Sequence, residues 1–111
     1  MRIPKSFTLG PHTITVRIVS PEKMQKVIES IADPDDTVED GKAWGLFIRG
    51  ENAMYIQEVG KGFCKQQQLH SFWHEYFHAL FYALNLECAT DEVTVDQCGL
   101  LMLQAQQTMK Y

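Results

Sequence analysis

The spacing of apolar residues shifts along this chain between a period of two and a helical period, and each shift marks a new element. From Thr13 to Val19 the sequence TITVRIV alternates apolar with polar residues and is rich in β-branched side chains, which predicts a half-buried strand. Ser6–Leu9 stands as its hairpin partner across Gly10-Pro11. Ser20-Pro21 then offers an N-cap followed by proline at the first helical position. Met24, Val27, Ile28 and Ile31 recur at helical spacing behind it, predicting a helix over Pro21–Ile31. Trp44–Arg49 and Ala53–Val59 read as two further strands, a hairpin turning at Gly50-Glu51-Asn52.

Beyond Gly60-Lys61-Gly62 the helical period takes over. Leu69, Phe72, Trp73, Phe77, Leu80, Phe81 and Leu84 fall at the offsets of a buried helix face, with no Gly or Pro between Lys65 and Cys98, so a helix is expected over roughly Gln66–Asn85. Thr90 is a suitable N-cap for a last helix ending near Thr108, and the short segment Glu87–Asp91 would let that helix fold back on the one before. These elements predict an α+β fold: a small, mostly antiparallel sheet of three or four strands, an N-terminal helix and two packed C-terminal helices.

Composition narrows the class. At 111 residues, 45% hydrophobic and 22% charged, the chain can bury one modest core, which predicts a single domain over residues 1–111. The opening MRIPKSFTLGPHT has no apolar signal-like region, and no run approaches the ~18 apolar residues of a spanning helix. Cys64, Cys88 and Cys98 are odd in number and contain no C-x-x-C pair, which argues against a disulfide framework and for a reducing, cytoplasmic setting. A net charge of −4, with scattered Lys and Arg, speaks against direct nucleic-acid binding. The acidic stretch Asp33–Asp40, DPDDTVED, lacks the spacing and glycine of an EF-hand loop and reads as a solvated charge run. None of these features sets the oligomeric state.

The densest chemistry is His74-Glu75-Tyr76-Phe77-His78, an HExxH pattern. On a helix, four residues bring the two imidazoles within about 40° of one face and ~6 Å apart along the axis, so both can reach one ion. Glu75 stands on the flank, placed to act as general base on water. A shuffled chain of this His and Glu content would show the pattern in roughly one case in a hundred, so its helical setting carries much of the argument.

The third ligand follows by elimination. The only other histidines, His12 and His70, both precede the motif, and Phe81 and Leu84 occupy the positions where a metzincin extension needs Gly and His. An acid is therefore expected, with Glu87, Asp91, Glu92 and Asp96 as candidates and Cys88 and Cys98 as softer competitors. Glu92 and Asp96 are one helical turn apart. In a folded-back helix Glu92 can complete a His-His-Glu site for one zinc ion, while Asp96 can accept the free ring N–H of a ligating histidine. Gly99 continues the same stripe and would permit close approach to the motif helix.

The stretch Gln66–Met102 resembles the zinc-binding core of the gluzincin metallopeptidases and, in its brevity, the ImmA/IrrE-type and phage-encoded minimal zincins. That resemblance implies a compact zincin-like domain with His74, His78 and Glu92 as zinc ligands, Glu75 as general base, and an edge strand bordering the cleft. Val95-Asp96 stands where the ImmA/IrrE pattern usually has an Ala-Asn or Ala-Asp pair.

The expected activity is zinc-dependent hydrolysis of a peptide bond in a peptide or protein substrate. The candidate strand for pairing with that substrate is Ala53–Glu58. His70 and Tyr82, one turn before and after the ligand pair, are candidates for transition-state or substrate contacts, with Tyr111 as another possible donor. Two other classes share parts of this sequence: a non-catalytic, zinc-stabilised interaction module, and a metal-free helical interaction protein. Glu75→Gln and metal analysis separate them.

Overall fold

Alternation along His12–Val19 buries one face of that strand, Ile14 and Val16, and leaves Thr13, Thr15 and Arg17 exposed on the other. The structure is a computed structural model describing residues 1–30 and 44–111, so the acidic stretch Asp33–Asp40 and the predicted helix end at Ile31 lie outside the described residues. Strands β1 (Ser6–Leu9) and β2 (His12–Val19) form the expected hairpin, turned by Gly10 at φ +59°. Helix α1 (Pro21–Ser30) starts as predicted, with the Ser20 hydroxyl accepting the Lys23 N–H at 3.2 Å. Strands β3 (Gly45–Ile48) and β4 (Ala53–Gln57) pair antiparallel across a 3₁₀ turn, Arg49–Glu51, and Asn52 in the left-handed conformation at φ 48°. Helices α2 (Lys65–Ala83) and α3 (Glu92–Thr108) complete the fold.

Among the described residues the strand order is β1-β2-β4-β3. Two pairings are antiparallel, while β2 and β4 run parallel, with Thr15 opposite Ala53 and Val19 opposite Gln57. This corrects one expectation: β4 is an interior strand hydrogen-bonded on both sides, so Ala53–Glu58 offers no free edge to a substrate. The physical reason is in its side chains. Ala53, Met54, Tyr55 and Ile56 are all buried, the continuous apolar run of a strand covered on both faces rather than one. The outer strand on that side is β3.

The two faces bury separate clusters. Met54 and Ile56 join Ile14 and Val16 against Phe72 and Ala79 of α2, whereas Ala53, Tyr55 and Leu46 pack on Met24 and Val27 of α1. Tyr76, inside the motif, lies against Phe7 with ring centroids 5.3 Å apart and so ties α2 to the hairpin. Helix α3 packs on the opposite side of α2, through Val95, Gly99 and Leu103. The motif helix is thus held between sheet and α3. No helix among the described residues is long and apolar enough to cross a membrane.

Candidate metal centre

The helix ends do much of the positioning. At the start of α2 the Cys64 N–H donates to Gln67 Oε1 at 2.8 Å in a capping box. At its end, Leu86 N–H donates to Phe81 O at 2.9 Å and Asn85 N–H to Tyr82 O at 3.0 Å, with Asn85 at φ 56°, the pattern of a Schellman motif. The chain therefore leaves the helix soon after His78 and enters a 3₁₀ turn, Glu87–Thr90. That turn carries the Ala89 carbonyl to within 2.7 Å of His78 Nδ1.

Helix α3 then begins with Asp91 as N-cap, not Thr90 as the sequence suggested. Thr90 closes the 3₁₀ turn, leaving the Asp91 carboxylate to accept from Val93 N–H at 3.2 Å, Thr94 N–H at 3.3 Å and the Thr94 hydroxyl at 2.9 Å. The Thr94 amide, then its hydroxyl, hold the Asp91 carboxyl below the usual carboxylate range. Glu92 becomes the first helical residue. Gly99 lets the α3 backbone close on α2: a Cβ there would stand 2.9 Å from the His74 nitrogen.

Two stripes meet across this contact, and each member touches the next. His78 Nε2 is 3.1 Å from Glu92 Oε1, and Glu92 Oε2 is 2.9 Å from His74 Nε2. His74 Nδ1 is in turn 3.0 Å from Asp96 Oδ1, and the same oxygen is 3.2 Å from His70 Nε2. The helices run antiparallel, so rising numbers on α3 meet falling numbers on α2. Gln66 and Gln107 extend the register, exchanging amide hydrogen bonds of 3.1 and 2.8 Å.

On both rings each nitrogen faces an oxygen that can only accept: Nδ1 the Asp96 carboxylate or the Ala89 carbonyl, Nε2 the Glu92 carboxylate. A neutral ring carries one proton, so when Nδ1 donates to its anchor the lone pair is on Nε2, toward Glu92. Three lone-pair donors, all within 4.8 Å of one another, converge on one place. Only a positive charge between them, a metal ion or an added proton, relieves that arrangement. Two imidazoles oriented through their other nitrogen plus one carboxylate form a donor set suited to a divalent ion. The Glu92 side chain is 48% exposed against 21% and 17% for the histidines, so the trio opens to solvent on the α3 side.

No protein-family model, curated protein or solved structure matches this chain. The residues themselves carry the functional argument.

Glu75 is 6% exposed and lies on the flank of α2 that faces the sheet. Its Cγ would be 3.0 Å from a Cβ at Gly45, so it packs beside outer strand β3. The other sequence candidates are distributed around the trio. Asp96 takes its expected place on the His74 ring, and His70 approaches Asp96. Tyr82 joins a different cluster, with the Arg49 guanidinium 5.1 Å from its ring centroid and His12 and Phe47 rings at 6.1 and 6.4 Å. Tyr111 is fully exposed. Glu87, Asp91, Cys88 and Cys98 stay outside the trio. The sequence reading missed the Ala89 carbonyl, the Asp91 cap and the Gly45 contact. Only the cap had a local signal, an aspartate directly before the E-x-x-x-D stripe.

Proposed function

We propose that this chain is a zinc-dependent peptidase of minimal gluzincin type, in which His74, His78 and Glu92 hold one zinc ion and Glu75 is the general base. One observation carries the reading: both motif imidazoles, each anchored through Nδ1, turn Nε2 toward the same Glu92 carboxylate. A divalent ion held by such a set supplies Lewis acidity, polarising a carbonyl and lowering the pKa of water towards ~7.

The protein's own groups supply the remainder. Asp96 and the Ala89 carbonyl keep the two rings in the ligating tautomer. Glu75, restrained between α2 and β3, takes a proton from water and passes it to the departing amine. Gly45 leaves the space that Glu75 fills. Among the described residues the far side of β3 is unpaired, so an extended peptide can be laid along β3 by main-chain hydrogen bonds, next to Glu75.

The test is hydrolysis of an unfolded protein such as casein by zinc-loaded chain. Glu75→Gln retains zinc and melting temperature while turnover falls by ~10²–10⁴-fold. Equal cleavage by the wild-type and Glu75→Gln proteins would overturn the catalytic assignment. A second reading, a non-catalytic module in which the ion locks α2 to α3, draws on the exposed Val93, Leu100 and Leu101 of α3. It predicts zinc binding with no turnover in either protein.

A further inference from the structure

His70 lies one turn before the first motif histidine, on the stripe that faces α3, and is absent from the three-residue donor set. Its Nε2 is buried and sits 3.2 Å from Asp96 Oδ1, the oxygen that also meets His74 Nδ1 at 3.0 Å. That approach is within ion-pair range, without full hydrogen-bond alignment, and no other acceptor among the described residues is hydrogen-bonded to this nitrogen. The Asp96 side chain is 52% exposed, and a half-solvated aspartate on a helix surface ordinarily samples several rotamers. Only the rotamer directed at α2 orients His74.

We infer that His70 is a positioning residue of the metal site: it pins Asp96, and through Asp96 it holds the His74 ring with Nε2 toward Glu92. The inference rests on the metal-binding part of the proposed function and is independent of turnover. It moves His70 from the role of a substrate contact to that of a support two steps removed from the ion. The physical content is a linear dependence, His70 on Asp96 on His74, so the effect of His70 on the ion must vanish when Asp96 is gone.

That dependence is testable by a double-mutant cycle on the full chain, with zinc affinity read by competition against a chromogenic chelator. Asp96→Ala weakens zinc binding by about 10–100-fold and His70→Ala by about tenfold, in the range for outer partners of metal ligands. The double variant binds zinc as Asp96→Ala does, because the His70 effect has no remaining route. His70→Gln, which keeps an N–H donor of similar reach, recovers most of the loss. Should His70→Ala reduce helical content, His70→Phe keeps the ring volume without either nitrogen and takes its place in the cycle. A residue that merely packed would lower the melting temperature to the same extent in both backgrounds and would not distinguish Gln from Phe. Unchanged affinity in His70→Ala, or losses that multiply in the double variant, overturns the inference while leaving the zinc site standing. Failure of the wild-type chain to bind zinc would instead sink the metal reading itself.

Discussion

At Gly99 an added methyl group would meet the His74 amide nitrogen at 2.9 Å and its Cα at 3.1 Å, both backbone atoms that cannot swing aside. Replacing this glycine by alanine gains about 1 kcal/mol of helix propensity, but overpacking against a fixed backbone costs typically 1–3 kcal/mol, so the clash wins. Gly99→Ala is therefore expected to lower denaturant stability by about 1 kcal/mol and, by pushing α3 outward, to weaken zinc binding. A more stable variant with unaltered zinc affinity would contradict the close approach. Gly45 offers the complementary case. A Cβ there would stand 3.0 Å from Glu75 Cγ and 3.1 Å from Ile56 Cδ1, touching the proposed base and none of the proposed ligands. Gly45→Ala should cut kcat while leaving zinc affinity near wild type, and an equal loss of both would show that the base and the metal site are not separable in this way.

At the scale of elements, the start of α3 links helix stability to the site, because the capping residue Asp91 directly precedes Glu92. The folded state holds the Asp91 carboxyl below its ordinary value of 3.8 through the Thr94 amide and hydroxyl. A depressed carboxyl contributes stability that is present above the unfolded-state value and is lost as pH falls through the folded-state value. Asp91→Asn caps without a titrating charge, so its melting temperature should fall less steeply than that of the wild-type chain as pH drops below about 4. Identical acid limbs for the two proteins would rule out the cap as their source. The elements themselves were readable to different degrees. β2 and α1 announce themselves because each has one buried face and a definite period, α2 through the helical recurrence of its apolar residues, and α3 through a cap ahead of the Glu92/Asp96 pair one turn apart. The interior position of β4 runs against the expectation of an open strand at Ala53–Glu58, although Ala53–Ile56 is an unbroken apolar run, and its parallel partnership with β2 comes from packing between distant segments and has no local signature.

For the molecule as a whole, α2 is the shared element: the sheet covers one side of it and α3, with the preceding turn, covers another. The two facing stripes were legible because helical spacing fixes which side chains share a face. His74, His78, Glu92 and Asp96 could be grouped from the sequence, whereas the Ala89 carbonyl is a backbone group that any residue would supply, and the outer-strand role of β3 depends on the strand order. Helix α3 packs chiefly on α2 and the turn before it, so a shared ion would join the two helices where His74, His78 and Glu92 meet. Binding to the folded state alone also stabilises it, by about 2.7 kcal/mol at a free zinc concentration 100 times the dissociation constant. The most direct measurement is a calorimetric titration of the purified, chelator-stripped chain with zinc, run alongside Glu92→Ala. The account predicts one ion per chain and a loss of at least about 100-fold in affinity when Glu92 is removed, since a ligand rather than an outer partner is lost. An absence of binding in the wild-type chain, or equal affinity in the two proteins, would contradict it.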